Sequence, residues 1–187
     1  MKTTLFEPGK YYHVFNQARN GDPLFGTEED FRFFLKLYQA HICPIADTYA
    51  YCLLSDHLHF LIRIREEAEG RLYKPFALLF NGYAKGYSRH HETIAKVFKF
   101  KMKRKEIRNP RMLMEMIRYV NQDPCRHGAA EHPGIYRFSS FRATLSSSPT
   151  LLAKDQVREY FGTNGNLEEN LLTRVDESII RYCRLES

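Results

Sequence analysis

The apolar positions of this chain change period several times, and each change marks an element. Tyr11 to Asn16 reads as a first strand. A turn-rich Gly21-Asp-Pro23 follows, and Thr27 is placed to cap a helix opening on the acids Glu28-Glu-Asp30. Phe31, Phe34, Leu35, Tyr38 and Ile42 recur at helical spacing, which predicts an amphipathic helix that stops before Pro44. Thr48 to Leu54 and His57 to Ile64 read as two strands joined by the tight Ser55-Asp56, a hairpin. Phe76, Leu79, Phe80, Tyr83 and Tyr87 mark a second helix. Val97 to Lys105 then alternates, with Phe98, Phe100 and Met102 on one face and Lys99, Lys101 and Lys103 on the other. That pattern predicts a fourth strand with a basic face.

Strand, helix, two strands, helix, strand is the order of an α+β domain of the ferredoxin-like or RRM-like kind, an antiparallel sheet with helices on one face. The opposite face is then expected to stay open for a ligand. Asn109-Pro110 has the form of a third helix start, with Leu113, Met116, Ile117 and Val120 as its buried stripe. Pro124 disfavours helical geometry at the residue before it, so this added helix is expected to end near Asp123. Leu145 to Thr150 reads as a linker. Two C-terminal helices are expected over Leu151 to Phe161 and Leu167 to Leu185, separated by Gly162 to Gly165. The predicted division is a sheet domain over residues 1–145 and a helical extension over 146–187.

On the third strand, alternation puts Leu58, Phe60, Ile62 and Ile64 on one wholly apolar face and His57, His59, Leu61 and Arg63 on the other. Two imidazoles side by side on a rigid strand offer convergent nitrogens to a divalent metal. Two ligands do not complete a site. Tyr119 and Asp123, one helical turn apart, fall beside the buried stripe of the third helix, so a helix laid on the sheet aims both at the histidines. Two imidazoles and a carboxylate suit an open Mg²⁺ or Mn²⁺ site that holds a phosphate. A phenol beside that phosphate is a candidate nucleophile once a nearby positive charge assists it. Taken singly, these residues also fit hydrogen-bonded sheet histidines, a packing tyrosine and a helix-end aspartate.

Charge sharpens the picture. The 187 residues carry a formal net charge of +6, and Lys96, Lys99, Lys101, Lys103, Arg104, Lys105 and Arg108 form the densest basic stretch, suited to a nucleic-acid backbone. Phe98 and Phe100 are expected to be buried rather than to stack on bases. The four cysteines include no Cys-x-x-Cys pair, so neither a disulfide framework nor a thiolate zinc site is indicated. No run approaches the roughly 20 apolar residues of a bilayer span, and a cytoplasmic protein without a membrane partner is expected.

Several stretches carry a resemblance. Tyr12-His-Val-Phe-Asn16, Tyr51-Cys-Leu-Leu-Ser-Asp-His-Leu-His-Phe-Leu-Ile62, Phe80-Asn-Gly-Tyr-Ala-Lys85, Arg118-Tyr-Val-Asn-Gln-Asp-Pro-Cys-Arg-His-Gly128 and Phe138-Ser-Ser-Phe141 resemble, in that order, the single-tyrosine HUH transposases, which include insertion-sequence and REP-associated tyrosine transposases. The resemblance implies a DNA transposase that nicks and rejoins single-stranded, hairpin-containing DNA through a 5′-phosphotyrosine intermediate. It implies Tyr119 as nucleophile, His57 and His59 as metal ligands, and Asp123 at the position of a polar third ligand. Because some transposases use Gln there, the adjacent Gln122 is a competing candidate. The chain departs from the common pattern at Ser55-Asp56, where a Pro-Asn pair usually precedes the first histidine, and at Asn121 and Asp123, where many members have His and Asn. Within the basic stretch, Lys99, Lys101, Lys103, Arg104, Lys105 and Arg108 are the candidate DNA contacts, and a homodimer is a possible assembly. The alternative is a domesticated, non-catalytic nucleic-acid-binding regulator on the same fold; a hydrolase using water directly is a third class.

Overall fold

The computed structural model describes residues 5–19, 22–93, 96–99, 101–161 and 166–183. Gly21, Phe100, Gly162 to Gly165 and Leu185, named above, lie outside the described residues. Strand β1 spans Tyr11–Gln17, β2 Ala46–Leu53, β3 His57–Ile64 and β4 Lys103–Ile107. They form one antiparallel sheet in the order β2-β3-β1-β4. Helix α1 covers Glu28–His41, α2 Tyr73–His90, α3 Pro110–Arg126, α4 Phe141–Leu145, α5 Lys154–Phe161, α6 Leu167–Leu172 and α7 Glu177–Cys183. None of the helices is long and apolar enough to cross a membrane, among the described residues.

The expected order of elements holds, and its local causes are visible. Thr27 accepts from the Asp30 amide while the Asp30 carboxylate accepts from the Thr27 amide, a capping box that starts α1. Asn109 likewise accepts from the Met112 amide, with Pro110 inside the first turn of α3. Strand β3 runs from His57, and its apolar face, Leu58, Phe60, Ile62 and Ile64, packs under α1 and α2 against Phe34, Tyr38, Phe76 and Tyr83. Gly82 and Gly86 let these two helices approach, since Leu37 and Phe33 of α1 lie over them.

Four expectations need correction. The second sheet face is not open: α3 and the C-terminal helices cover it, burying Met116, Ile117 and Val120 with Leu61, Val157, Phe161 and Leu171. The amphipathic helix α3 buries its apolar stripe against this face. The fourth strand is shorter and later than the alternation suggested. Phe98 bridges Ala18 in one register, and Lys103–Ile107 pairs with β1 in another. Its period of two there reflects a partly buried, irregular segment, with Phe98 packed against Phe80 and Tyr83. Helix α3 continues through Pro124 to Arg126, because a proline so near the end forfeits one backbone bond while its ring is buried, and Gly128 at φ 67° terminates the helix. Finally, the C-terminal pair is three short helices: the first begins at Lys154, and Asp176, whose side chain accepts from the Ser178 amide, starts α7 afresh.

The segment Phe138-Ser-Ser-Phe141 ties these layers together. Leu53 N–H donates to the Phe138 carbonyl and Ser140 N–H to that of Tyr51, so the segment lies along the edge of β2. Ser140 Oγ accepts from Tyr51 N–H at 2.9 Å and donates to Asn121 Oδ1 of α3 at 2.7 Å. Through this hydroxyl the sheet edge fixes the roll of α3.

A candidate metal centre beside a helix-borne tyrosine

His57 and His59 point from β3 toward α3, where Asp123 meets them. Asp123 Oδ2 lies 3.1 Å from His57 Nε2 and 3.6 Å from His59 Nε2. The three side chains bring ligand atoms within 4.8 Å of one another, and all three residues are buried, at 2, 1 and 0 % exposure. The structure therefore brings together the two histidines and the aspartate singled out from sequence. Gln122 faces elsewhere: its amide donates to the carbonyls of Leu171 and Thr173, strapping α3 to α6.

Tyr119 is on the same face of α3 as Asp123 and is 6 % exposed. Its ring stands edge-on to His59, with centroids 5.7 Å apart, and the Arg126 guanidinium lies 5.2 Å from its centre. The candidate nucleophile, ligands and a cation thus share one neighbourhood.

Charge organises this centre. His57 has a carboxylate at each nitrogen, Asp56 at 2.7 Å from Nδ1 and Asp123 at Nε2. Desolvation works against its charged form, but these hydrogen bonds prevail and raise its pKa to about 9. The Asp123 carboxyl is also desolvated, yet its hydrogen bond and ion pair with the charged His57 imidazole hold it below the usual carboxylate range. His59, by contrast, is pushed well below the ordinary histidine value by burial. Cys52, opposite His59 on β2, is kept a neutral thiol by burial and is no thiolate ligand.

Two histidines that the sequence did not single out complete the picture. His13 on β1 reaches His59, its Nε2 2.7 Å from His59 Nδ1, with both side chains buried. His127, four residues beyond Asp123, puts Nε2 3.6 Å from Asp123 Oδ1 and its ring 4.4 Å from that of His57. The signal for His127 was its spacing from Asp123, masked by the expectation that Pro124 ends the helix. For His13 no local signal exists, because only sheet pairing places it beside β3.

The donor set fits a divalent cation. Asp123 Oδ1 is buried and lacks a hydrogen-bond partner among the described residues, a costly arrangement that a cation relieves. A second group, Asp30, His90 and His91, also brings ligand atoms within 4.8 Å. There Asp30 is already engaged, accepting from the Gly26 and Thr27 amides and paired with His91, and it serves the capping box of α1.

The basic stretch divides between the two sheet faces. Opposite residues in an antiparallel ladder share a face, so Lys105, across from His13, and Lys103, across from Phe15, lie on the site face. Lys105 Nζ sits 5.7 Å from the centre of the Phe15 ring. Arg104 is turned to the opposite face, where its guanidinium stacks 4.5 Å over Phe6. Lys99, Lys101 and Arg108 are exposed.

No protein-family model and no curated protein sequence matches this chain. Among solved structures it is similar to a REP-associated tyrosine transposase bound to a REP hairpin, with a TM-score of 0.61 and 16 % sequence identity. The similarity covers 80 % of this chain and 87 % of that one. At this identity the likeness is one of fold: a four-stranded antiparallel sheet with helices, in the arrangement of that transposase.

Proposed function

We propose that this chain is a metal-dependent tyrosine transposase, a single-strand DNA nicking and rejoining enzyme. The observation that carries the reading is the placement of the Tyr119 ring against His59, on the helix whose Asp123 closes the His57–His59 pair. The likeness in fold to a transposase bound to a DNA hairpin supports it. His57, His59 and Asp123 would hold Mg²⁺ or Mn²⁺, and the ion would supply Lewis-acid polarisation to a phosphate bound beside it.

Tyr119 Oη attacks the phosphorus of a backbone phosphate. A bond forms from the phenol oxygen to phosphorus and the bond from phosphorus to the 3′ oxygen breaks. The phenol loses its proton, the 3′ oxygen gains one, and the 5′ phosphate stays on the tyrosine. Arg126, over the ring, sets positive charge where phenolate character develops. The phosphotyrosine conserves the energy of the broken bond, so a second 3′ hydroxyl reverses the step without a nucleotide cofactor. Lys103 and Lys105 on the site face, with Lys99, Lys101 and Arg108 beyond it, follow the strand backbone. Arg104 takes no part in that track and anchors Phe6.

The near-complete burial of the three donors favours one competing reading, a regulator that binds DNA without cutting it. Incubation with labelled, hairpin-bearing single-stranded DNA and Mn²⁺ separates the two. The enzyme gives a protein–DNA adduct that survives denaturant and disappears in Tyr119→Phe and in His57→Ala/His59→Ala. Cleavage that persists in Tyr119→Phe indicates hydrolysis by water, and tight binding without cleavage indicates the regulator.

A further inference from the structure

We propose that Asp30, His90 and His91 form a second divalent-cation site, for a borderline ion such as Zn²⁺, that clamps the start of α1 to the end of α2. The site belongs to the helix layer over the other sheet face, so it stands apart from the His57–His59–Asp123 centre and from the transposase reading. His91 Nε2 is 3.0 Å from both carboxylate oxygens of Asp30, and the His90 ring stands at 90° to that of His91 with centroids 4.8 Å apart. All three side chains bring ligand atoms within 4.8 Å of one another.

Two imidazoles and a carboxylate are donors that Zn²⁺, Cu²⁺ and Ni²⁺ take well. Their spacing suits such an ion. Two donors each about 2.1 Å from one zinc ion lie roughly 3.0–3.4 Å apart, so the Asp30–His91 pair is already close to the bite of a bound ion. The capping box of α1 helps rather than competes. Asp30 Oδ2 accepts from the Gly26 and Thr27 amides, which orients the carboxylate as outer hydrogen bonds orient metal-ligating carboxylates, and Oδ1 faces His91. The Tyr87 ring packs against the His91 imidazole, with centroids 4.1 Å apart.

An ion pair between His91 and Asp30 needs no second imidazole, yet His90 brings one within ligand distance. Both histidines close the C-terminal end of α2, where the partial negative charge of the helix favours a cation. The cluster also opens on a cavity of about 230 Å³ lined by Glu29, Asp30, Phe33, Gly86, Tyr87 and His90, so water or the Glu29 carboxylate has room to complete the coordination. His90 is exposed, which gives an ion a direct route from solvent. On binding, the ion displaces the proton of the His91–Asp30 hydrogen bond. The loop that the clamp fixes reaches further, because the Leu24 and Phe25 amides donate to the Ser55 carbonyl, two residues before His57.

Imidazole ¹H–¹⁵N NMR of the full chain, titrated with Zn²⁺, locates the ion residue by residue. The His90 and His91 signals should shift together at micromolar Zn²⁺. His90→Ala, a change at an exposed position, should weaken the response of His91 by roughly 10-fold or more. Thermal unfolding is the second arm. With Zn²⁺ at about tenfold its dissociation constant for wild type, the ion should raise the wild-type midpoint by about 2–4 °C more than that of His90→Ala. Shifts confined to His57 and His59 overturn the second site and leave the sheet centre standing. Shifts at His90 and His91 alone support the second site and count against the sheet centre. Equal zinc affinity at His91 in wild type and His90→Ala, or no response of His91 at all, overturns the clamp.

Discussion

Two adjacent serines should respond to the same substitution in opposite directions. Ser140 is fully buried, and its hydroxyl satisfies Tyr51 N–H and Asn121 Oδ1. Ser140→Ala strands both groups away from water. At about 1–3 kcal/mol for each unsatisfied buried group, partly relieved by relaxation, the loss comes to roughly 2–4 kcal/mol. Ser139 Oγ is buried too but has no partner among the described residues, so Ser139→Ala removes an unsatisfied hydroxyl and should be neutral or stabilise by up to about 1 kcal/mol. Asn121→Leu should cost less than Ser140→Ala, because the serine hydroxyl can turn to the Tyr51 carbonyl at 3.2 Å. In the double variant the penalty on Asn121 Oδ1 vanishes, giving a coupling of about 1 kcal/mol or more. Urea unfolding followed by far-UV circular dichroism, with unchanged m-values, measures all four proteins. A Ser140→Ala cost below about 0.5 kcal/mol, or strict additivity with Asn121→Leu, refutes the idea that this hydroxyl holds α3 in place.

The helix pair on the other face makes a second contrast. A Cβ at Gly82 meets Leu37 at an ordinary 3.7 Å, so Gly82→Ala should stabilise by about 0.5–1 kcal/mol through helix propensity. At Gly86 a Cβ falls among the atoms of the Phe33 ring, which must swing outward; losing its burial offsets the propensity gain, and thermal unfolding should show Gly86→Ala below Gly82→Ala in stability. For DNA binding, Lys103→Gln/Lys105→Gln should lower the log–log salt slope for single strands by about 1.4, from roughly 0.7 per contact. Arg104→Gln should leave the slope unchanged and lower stability by about 1 kcal/mol through the lost stack on Phe6, and a slope change in Arg104→Gln contradicts the division of cations between faces.

What could be read before folding was whatever local spacing records. The period-two run from His57 to Ile64, the caps at Thr27 and Asn109, and the shared face of Tyr119 and Asp123 all depend on neighbours a few residues away. What could not be read depends on distant partners. His13 meets His59 only because β1 lies antiparallel to β3. The covered second face and the diverted Gln122 depend on where α6 docks. The alternation from Val97 was a true pattern with a misleading cause, since a segment pinned at Phe98 and re-paired at Lys103 shows the same period as one unbroken strand.

Tyr119 and Asp123 sit one turn apart on a single rod, about 6 Å along its axis. Neither can be shifted toward the sheet histidines without carrying the other, so in the proposed mechanism a slide of that rod changes attack distance and ligand grip together. Arg118 and Gln122 on the same rod are lashed to the backbone of the C-terminal helices. Any displacement that admits a bulky phosphate must therefore drag this ballast too, which makes exposure of the centre a concerted event rather than the flicker of one side chain.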